Sequence, residues 1–280
     1  GERCVDYFEG MWSFAIYDKK EDFLFLSRDR FGEKPLFYLI DNDSFFFGSE
    51  IKFIQKLYKK KLIVNHSMIQ NFLINGYRFI NKTNNCFFEK VRKLKSGHSI
   101  VIKNGKVKSI FKYWNKKVYQ NEKISLNDAL VGTRIKLINS LKLRTRADVP
   151  VAFCLSGGLD SSLIAYYLTH LNSKPINTFN IGFEDASFDE SGQAKVISEI
   201  LGTNHNSMVF SNTKMVELLP SIWSMMDEPF ADASLLPTYL LSQFTRNQVT
   251  VALSGDGGDE VFAGYPTYLA HKIAQNSFSF

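Results

Sequence analysis

The sequence predicts two parts of different class. Residues 1–114 read as an α+β part built on an antiparallel sheet, and residues 125–280 read as an α/β part built on a parallel sheet. Three observations predict this. Short apolar runs separated by tight polar turns fill the first part, apolar runs alternate with helical segments after residue 149, and two glycine-rich loops each follow directly on a strand-like run.

In the first part, residues 11–18 and 23–27 flank a Lys-Lys-Glu-Asp turn and read as a hairpin. A polar stretch, 28–35, follows. Its Arg28, Asp29 and Lys34 invite a functional reading, but a solvated or interdomain loop explains them equally well. Strands are expected at 36–40 and 44–48, and a short helix at 49–54 with Ser49 at its start. Two later strands, 99–103 and 107–113, are joined by Asn104-Gly105, a pair that favours the tight type I′ turn. Residues 115–124 mix Lys, Asn, Gln and Glu without period, which marks a linker.

The second part opens with a helix from Ser125, whose Ala129, Leu130, Ile135, Leu137, Ile138 and Leu141 are expected to pack on the following sheet. Residues 149–154 are apolar and partly β-branched, a buried strand, and 163–168 begin a helix. Strands at 176–183, 205–210 and 248–253 alternate with helices at 189–201, 213–226 and 234–245. Such alternation implies a parallel sheet covered on both faces, with ligands beyond the carboxyl ends of its strands. Three loops then share one region: 156–162, 182–189 and 254–264. Asp189 fits a helix cap better than a ligand contact. Asp227-Glu228-Pro229 falls near the site by topology, with Glu228 either a substrate contact or a structural group.

Leu155-Ser156-Gly157-Gly158-Leu159-Asp160-Ser161-Ser162 sits where a strand ends and a helix begins. The first N–H groups of a helix lack internal partners, and the dipole there favours an anion by roughly 0.3–2 kcal/mol. Glycines let backbone approach a phosphate, and Ser156, Ser161 and Ser162 add donors. Asp160 would repel phosphates unless a divalent cation lies between, which implies magnesium. The second loop, Ser254-Gly255-Asp256-Gly257-Gly258-Asp259-Glu260, follows its own apolar strand and holds further carboxylates. Two aspartates from facing loops could grip one Mg2+ whose shell is completed by nucleotide oxygens.

The stretch Ser-Gly-Gly-Leu-Asp-Ser-Ser resembles the pyrophosphate loop of the N-type ATP pyrophosphatases, which cleave ATP between its α and β phosphates. The second loop resembles the Ser-Gly-Glu/Asp-Gly-x-Asp-Glu motif of asparagine synthetases. Phe-Glu-Gly-Met-Trp-Ser-Phe-Ala-Ile-Tyr-Asp, Ser-Arg-Asp-Arg-Phe-Gly-Glu-Lys-Pro-Leu-Phe-Tyr and Phe-Gly-Ser-Glu-Ile-Lys are similar to the later half of a class II glutamine amidotransferase domain. The resemblance implies an incomplete Ntn-hydrolase-type sheet, followed by an incomplete sheet of the adenine-nucleotide α-hydrolase (PP-loop) type. It also implies ATP and Mg2+ as cofactors. Asp160 and Asp259 would be metal ligands, and Asp256 the acidic group that helps the adenylated intermediate accept ammonia. The nucleotide would lie against Leu155, Ser156, Gly157, Gly158, Asp160, Ser161, Ser162, Ile181, Gly182, Ser254 and Gly255.

The implied reaction is synthesis of asparagine from aspartate, ATP and ammonia drawn from glutamine, with AMP and pyrophosphate as products. The same loops serve relatives that adenylate another carboxylate, such as β-lactam synthetases or lasso-peptide cyclases, and that alternative stays open. A glutaminase of this class uses an N-terminal cysteine as nucleophile. Residue one here is Gly1 and Cys4 is internal, so no glutaminase residue is assigned. Gly1 and the helical run from Val261 onward give the expectation of an internal piece of a longer protein, inactive by itself.

Composition narrows the classes further. Apolar residues make up 45% and charged ones 22% of 280, an ordinary globular balance. The formal charge of +6 is spread over scattered lysines rather than one stripe, which argues against a nucleic-acid partner. No apolar run reaches 18 residues and the three cysteines lack metal-ligand spacing. The expectation is a cytoplasmic enzyme of small-molecule substrates without membrane partners, with a homodimer among the open assemblies.

Overall fold

A computed structural model describes residues 1–76, 83–115, 123–187 and 189–277. The chain forms two compact units. The first comprises Gly1–Gln120 with Ser224–Asp232, and the second Asn121–Trp223 with Ala233–Phe280. Most of the 115–124 stretch read as a linker lies outside the described residues.

The first unit starts with a 3₁₀ turn, Glu2–Tyr7, then strands β1 (Ser13–Asp18), β2 (Phe23–Arg28), β3 (Phe37–Asp41) and β4 (Ser44–Gly48). Helices α1 (Ile51–Tyr58) and α2 (His66–Asn75) follow, then β5 (Val91–Lys93), β6 (His98–Lys103) and β7 (Lys106–Lys112). Two antiparallel sheets result, ordered β1-β2-β6-β7 and β4-β3-β5. Asn104 and Gly105, at φ 51° and 70°, make the β6–β7 turn. β2 is apolar at successive positions because both of its faces are buried. Phe25 packs with Val5 and Val101 on one side, while Leu26 packs with Leu36, Tyr38, Leu94, Ile100 and Ile102 on the other.

In the polar stretch from Arg28 to Pro35, Lys34 is exposed along with Phe31 and Glu33, as the solvated reading has it, but Arg28 and Asp29 are not. Arg28 and Asp29 are 5% and 0% exposed. The Asp29 carboxylate accepts the N–H groups of Phe31, Gly32, Glu33 and Lys34 at 2.6–3.1 Å. Arg28 donates to the carbonyls of Gly32, Lys34 and Leu94. The two buried charged side chains thus satisfy much of the backbone of an irregular loop that no strand pairs along its length.

The second unit runs α3 (Leu126–Arg144), β8 (Val151–Cys154), α4 (Leu159–Leu171), β9 (Asn177–Phe183), α5 (Ser191–Leu201) and β10 (Asn204–Phe210). It continues with α6 (Asn212–Met225, whose last residues belong to the first unit), α7 (Leu235–Arg246), β11 (Val251–Leu253), α8 (Gly258–Phe262) and α9 (Pro266–Ser277). The sheet is parallel, ordered β10-β9-β8-β11. From β8 the chain builds outward through β9 and β10, then returns to place β11 on β8's other side. That reversal leaves a crevice at the carboxyl ends of β8 and β11.

Phe153, Leu155, Ala165, Leu168 and Ala194 form a core on one face, and Ala152, Phe179 and Val249 meet Leu241 and Phe244 of α7 on the other. Helix α3 differs from expectation. Only Leu141 is buried and Leu137 packed against the core, while Leu130 and Ile135 are 61% and 54% exposed. Only its last turns lie over the sheet, so apolar spacing alone overstated its contact.

Candidate active site

β8 delivers its chain into the first glycine-rich loop. The Leu155 N–H donates to the Phe179 carbonyl (2.8 Å), continuing the β8–β9 ladder, and the Leu155 carbonyl accepts from the buried Asn180 amide (3.0 Å). Beyond it the serines organise the turn. Ser161 Oγ accepts the Ser156 N–H (3.2 Å) and lies 2.9 Å from Ser156 Oγ, which in turn accepts the Gly158 N–H (3.2 Å). Ser162 Oγ donates to the Gly158 carbonyl at 2.7 Å. No side chain caps α4 at Gly158. The N-terminal N–H groups of this 13-residue helix thus have no side-chain cap, the condition under which a helix start can accept an anion.

Gly157 is required twice. Its φ is +86°, and a Cβ there would lie 2.8 Å from Gln193 Cβ and 2.9 Å from the Ala194 backbone N. The loop therefore rests directly on α5.

The second loop meets the first. A Cβ on Gly255 would stand 3.1 Å from the Ser161 backbone N and 3.2 Å from Asp160 Cβ, and one on Gly258 would overlap the Asp160 carboxylate. Asp259, next along, turns its carboxylate onto Gly264. Neither the Asp160 nor the Asp259 carboxylate has a hydrogen-bond or ion-pair partner among the described residues. Asp256 is exposed, and its N–H points at Ser254 Oγ (3.4 Å). The Cys154 thiol at the end of β8 is pushed up to about 11, chiefly by burial and further by the Asp256 charge.

These loops border a cleft of about 530 Å³. Leu155, Ser156, Gly158, Asp160, Ser161, Ile181, Ser254, Gly255 and Asp256 line it; Gly157, Ser162, Gly182 and Asp259 do not. Part of the rest of its wall escaped the sequence reading: Asn180 on β9, and Pro237, Thr238, Leu241, Ser242 and Thr245 on α7. The signal was present as hydroxyls at 238, 242 and 245, one helical face, a pattern shared with any solvated helix. Among the described residues no three His, Cys, Asp or Glu side chains converge as a metal cage.

Three acidic groups weighed in the sequence, Asp189, Asp227 and Glu228, make structural bonds, Asp189 at the start of α5 much as a cap would. Asp189 accepts the Phe183 N–H (3.3 Å), the Ser191 N–H (3.1 Å) and the Ser191 hydroxyl (2.9 Å), and these bonds, the Ser191 hydroxyl's foremost, hold its carboxyl below the usual range. Asp227 and Glu228 belong to the first unit. Asp227 accepts the N–H groups of Ile51 (2.6 Å) and Lys52 (3.2 Å), while the 6%-exposed Glu228 accepts the Phe87 N–H (2.8 Å). Sequence proximity to α7 misplaced them, because the chain leaves the second unit at Ser224 and re-enters it at Ala233.

Comparison with known proteins agrees with this architecture. Residues 132–279 match the Asparagine synthase family and residues 1–114 the Glutamine amidotransferase domain. A putative glutamine-hydrolysing asparagine synthetase 2 of Methanocaldococcus jannaschii is 37% identical over 273 residues, covering 96% of this chain and 52% of the relative. Glutamine-hydrolysing asparagine synthetase 1 of Bacillus subtilis is 33% identical, covering 95% and 41%. More distant is the amidase chry2 of Gibberella zeae, 24% identical over all of this chain and 43% of its own length. Among solved structures, the NH3-dependent NAD synthetase of Campylobacter jejuni shares 14% identity at a TM-score of 0.35 over 48% of this chain and 60% of its own, too low to carry weight. The chain spans about half the length, or less, of the curated relatives it matches. With residues 132–279 matched to that family's model, behind a first part matched to the glutamine amidotransferase domain, the chain belongs to the Asparagine synthase family.

Proposed function

We propose that this chain carries the ATP site of an asparagine synthetase. The β-carboxylate of aspartate attacks the α-phosphorus of ATP; an oxygen–phosphorus bond forms and the bond to the β-phosphate oxygen breaks. Pyrophosphate departs into the loop of Ser156, Gly157, Gly158, Ser161 and Ser162, held by the α4 N–H groups and the serine hydroxyls. Ammonia, drawn from glutamine in the whole enzyme, then attacks the β-aspartyl adenylate. The new carbon–nitrogen bond replaces the bond to AMP, and Asp256 accepts the proton that the nitrogen sheds. Leu155, Ile181, Ser254 and Gly255 flank the nucleotide.

The two unpartnered carboxylates, Asp160 and Asp259, fit a divalent ion completed by phosphate oxygens rather than a cage made by protein alone. Bound there, Mg2+ would neutralise charge on the leaving pyrophosphate.

One observation carries this reading: the two loops abut at Asp160 and Gly258 at the reversal point of the parallel sheet. In the full-length protein, Asp160→Ala and Asp259→Ala are expected to abolish AMP and pyrophosphate formation while glutamine hydrolysis continues. Unchanged AMP release in either variant removes the metal assignment. Supplying wild-type protein with a panel of carboxylates in place of aspartate separates this reaction from adenylation of another acid, as in β-lactam synthetases or peptide cyclases.

A further inference from the structure

The acidic loop holds glycines of two kinds. Gly257 has φ +91° and open space where a Cβ would stand, so backbone conformation explains it. Gly264 is the reverse. Its φ lies outside the left-handed region, yet a Cβ there would overlap Asp259 Oδ1, lie 2.9 Å from Asp259 Cγ and 3.2 Å from Asp259 Cα. The backbone is tied in the same place, because the Gly264 N–H donates to the Asp259 carbonyl at 3.0 Å. Ala263, at φ 57°, ends α8 and turns the chain back to make that contact. Beyond it the Tyr265 hydroxyl donates to Glu260 (2.9 Å), holding the return.

From this geometry we infer that Gly264 is a positioning residue for Asp259: the bare backbone after α8 is the seat in which the Asp259 carboxylate rests. The inference rests on the proposed role of Asp259 as a ligand of the nucleotide's metal and adds a second residue to it. A methyl group at 264 displaces the carboxylate. Rotating the carboxylate alone does not clear the contact at Asp259 Cα, so the end of α8 shifts with it. A general loss of fold is not expected, since every atom within 3.2 Å of that Cβ position belongs to Asp259.

The test uses the full-length protein, with Mn2+ as the probe. Binding of Mn2+ in the presence of ATP is read by electron paramagnetic resonance, and AMP formation is titrated with MgCl2. Gly264→Ala is expected to raise the metal concentration for half-saturation by about 10–100-fold, the usual cost of disturbing what orients a ligand. The double variant Asp259→Ala/Gly264→Ala should bind Mn2+ no worse than Asp259→Ala alone. Wild-type metal binding in Gly264→Ala overturns the inference, and so does a further loss in the double variant. If Gly264→Ala fails to fold, recovery of folding in the double variant supports the collision with Asp259, and failure of both overturns it. Should Asp259→Ala keep wild-type Mn2+ binding, the ligand assignment itself falls, a result separate from any outcome at Gly264.

Discussion

At the scale of single residues, charge and backbone geometry decide most of what matters here. Gly157→Ala meets both a left-handed φ and the Ala194 backbone at 2.9 Å, with no flexible end to yield. It should destabilise the second unit by about 2–4 kcal/mol in urea unfolding and weaken ATP binding with it. Asp41 gives a pH dependence. Its carboxylate accepts from Lys60 Nζ (2.8 Å), Lys90 Nζ (2.9 Å) and the Tyr58 hydroxyl (2.9 Å), which together hold its carboxyl well below the usual range. A depressed folded-state value means the stabilisation is complete above the unfolded value of about 3.9 and fades as pH falls toward the folded one. Asp41→Asn should therefore be less stable than wild type at pH 7, with the gap narrowing steadily below about pH 4. A gap of constant size across that range would show that Asp41 acts by packing rather than by charge.

Between residue and fold, what was legible depended on how local the cause was. The loop after β8 could be read because glycine, serine and aspartate at a strand–helix junction act within a few residues. The β6–β7 turn could be read from Asn104-Gly105 alone. β5, three residues long, gives no periodicity to detect, and the reach of α3 depended on where its sheet ended. Helix α1 is the clearest case of a cause outside its own sequence. Its N-cap residue, Glu50, gives no side-chain cap, and Asp227, 176 positions after Ile51, supplies the carboxylate instead. Lys52 reinforces the contact by donating to the Met225 carbonyl at 2.8 Å. Asp227→Ala should cost about 1–2 kcal/mol, the usual value of a helix cap, while Asp227→Asn, which keeps an acceptor, should recover part of it. Equal losses in the two variants would point to the Lys52 ion pair (3.7 Å) rather than the cap.

For the molecule as a whole, the division of the chain does not follow the order of the sequence. Ser224–Asp232 lies inside the stretch matched to the synthase family, yet it belongs to the compact unit formed by Gly1–Gln120. Its ends lead into helices, α6 before it and α7 after it, and α7 walls the cleft of the second unit. Glu228 is buried with its Oε1 on the Phe87 N–H, so its loss removes a charge-assisted hydrogen bond from a buried donor, at a cost of about 1–3 kcal/mol. Because this bond is internal to the first unit, the damage should be greatest there. In hydrogen exchange on the full-length protein, Glu228→Ala should speed exchange at the Phe87 amide and its neighbours on the Phe87 side, while the β8 amides of Val151–Cys154 keep their protection. Loss of protection at β8 of the same size would mean that the two units unfold as one cooperative body, and that this segment carries stability from one to the other.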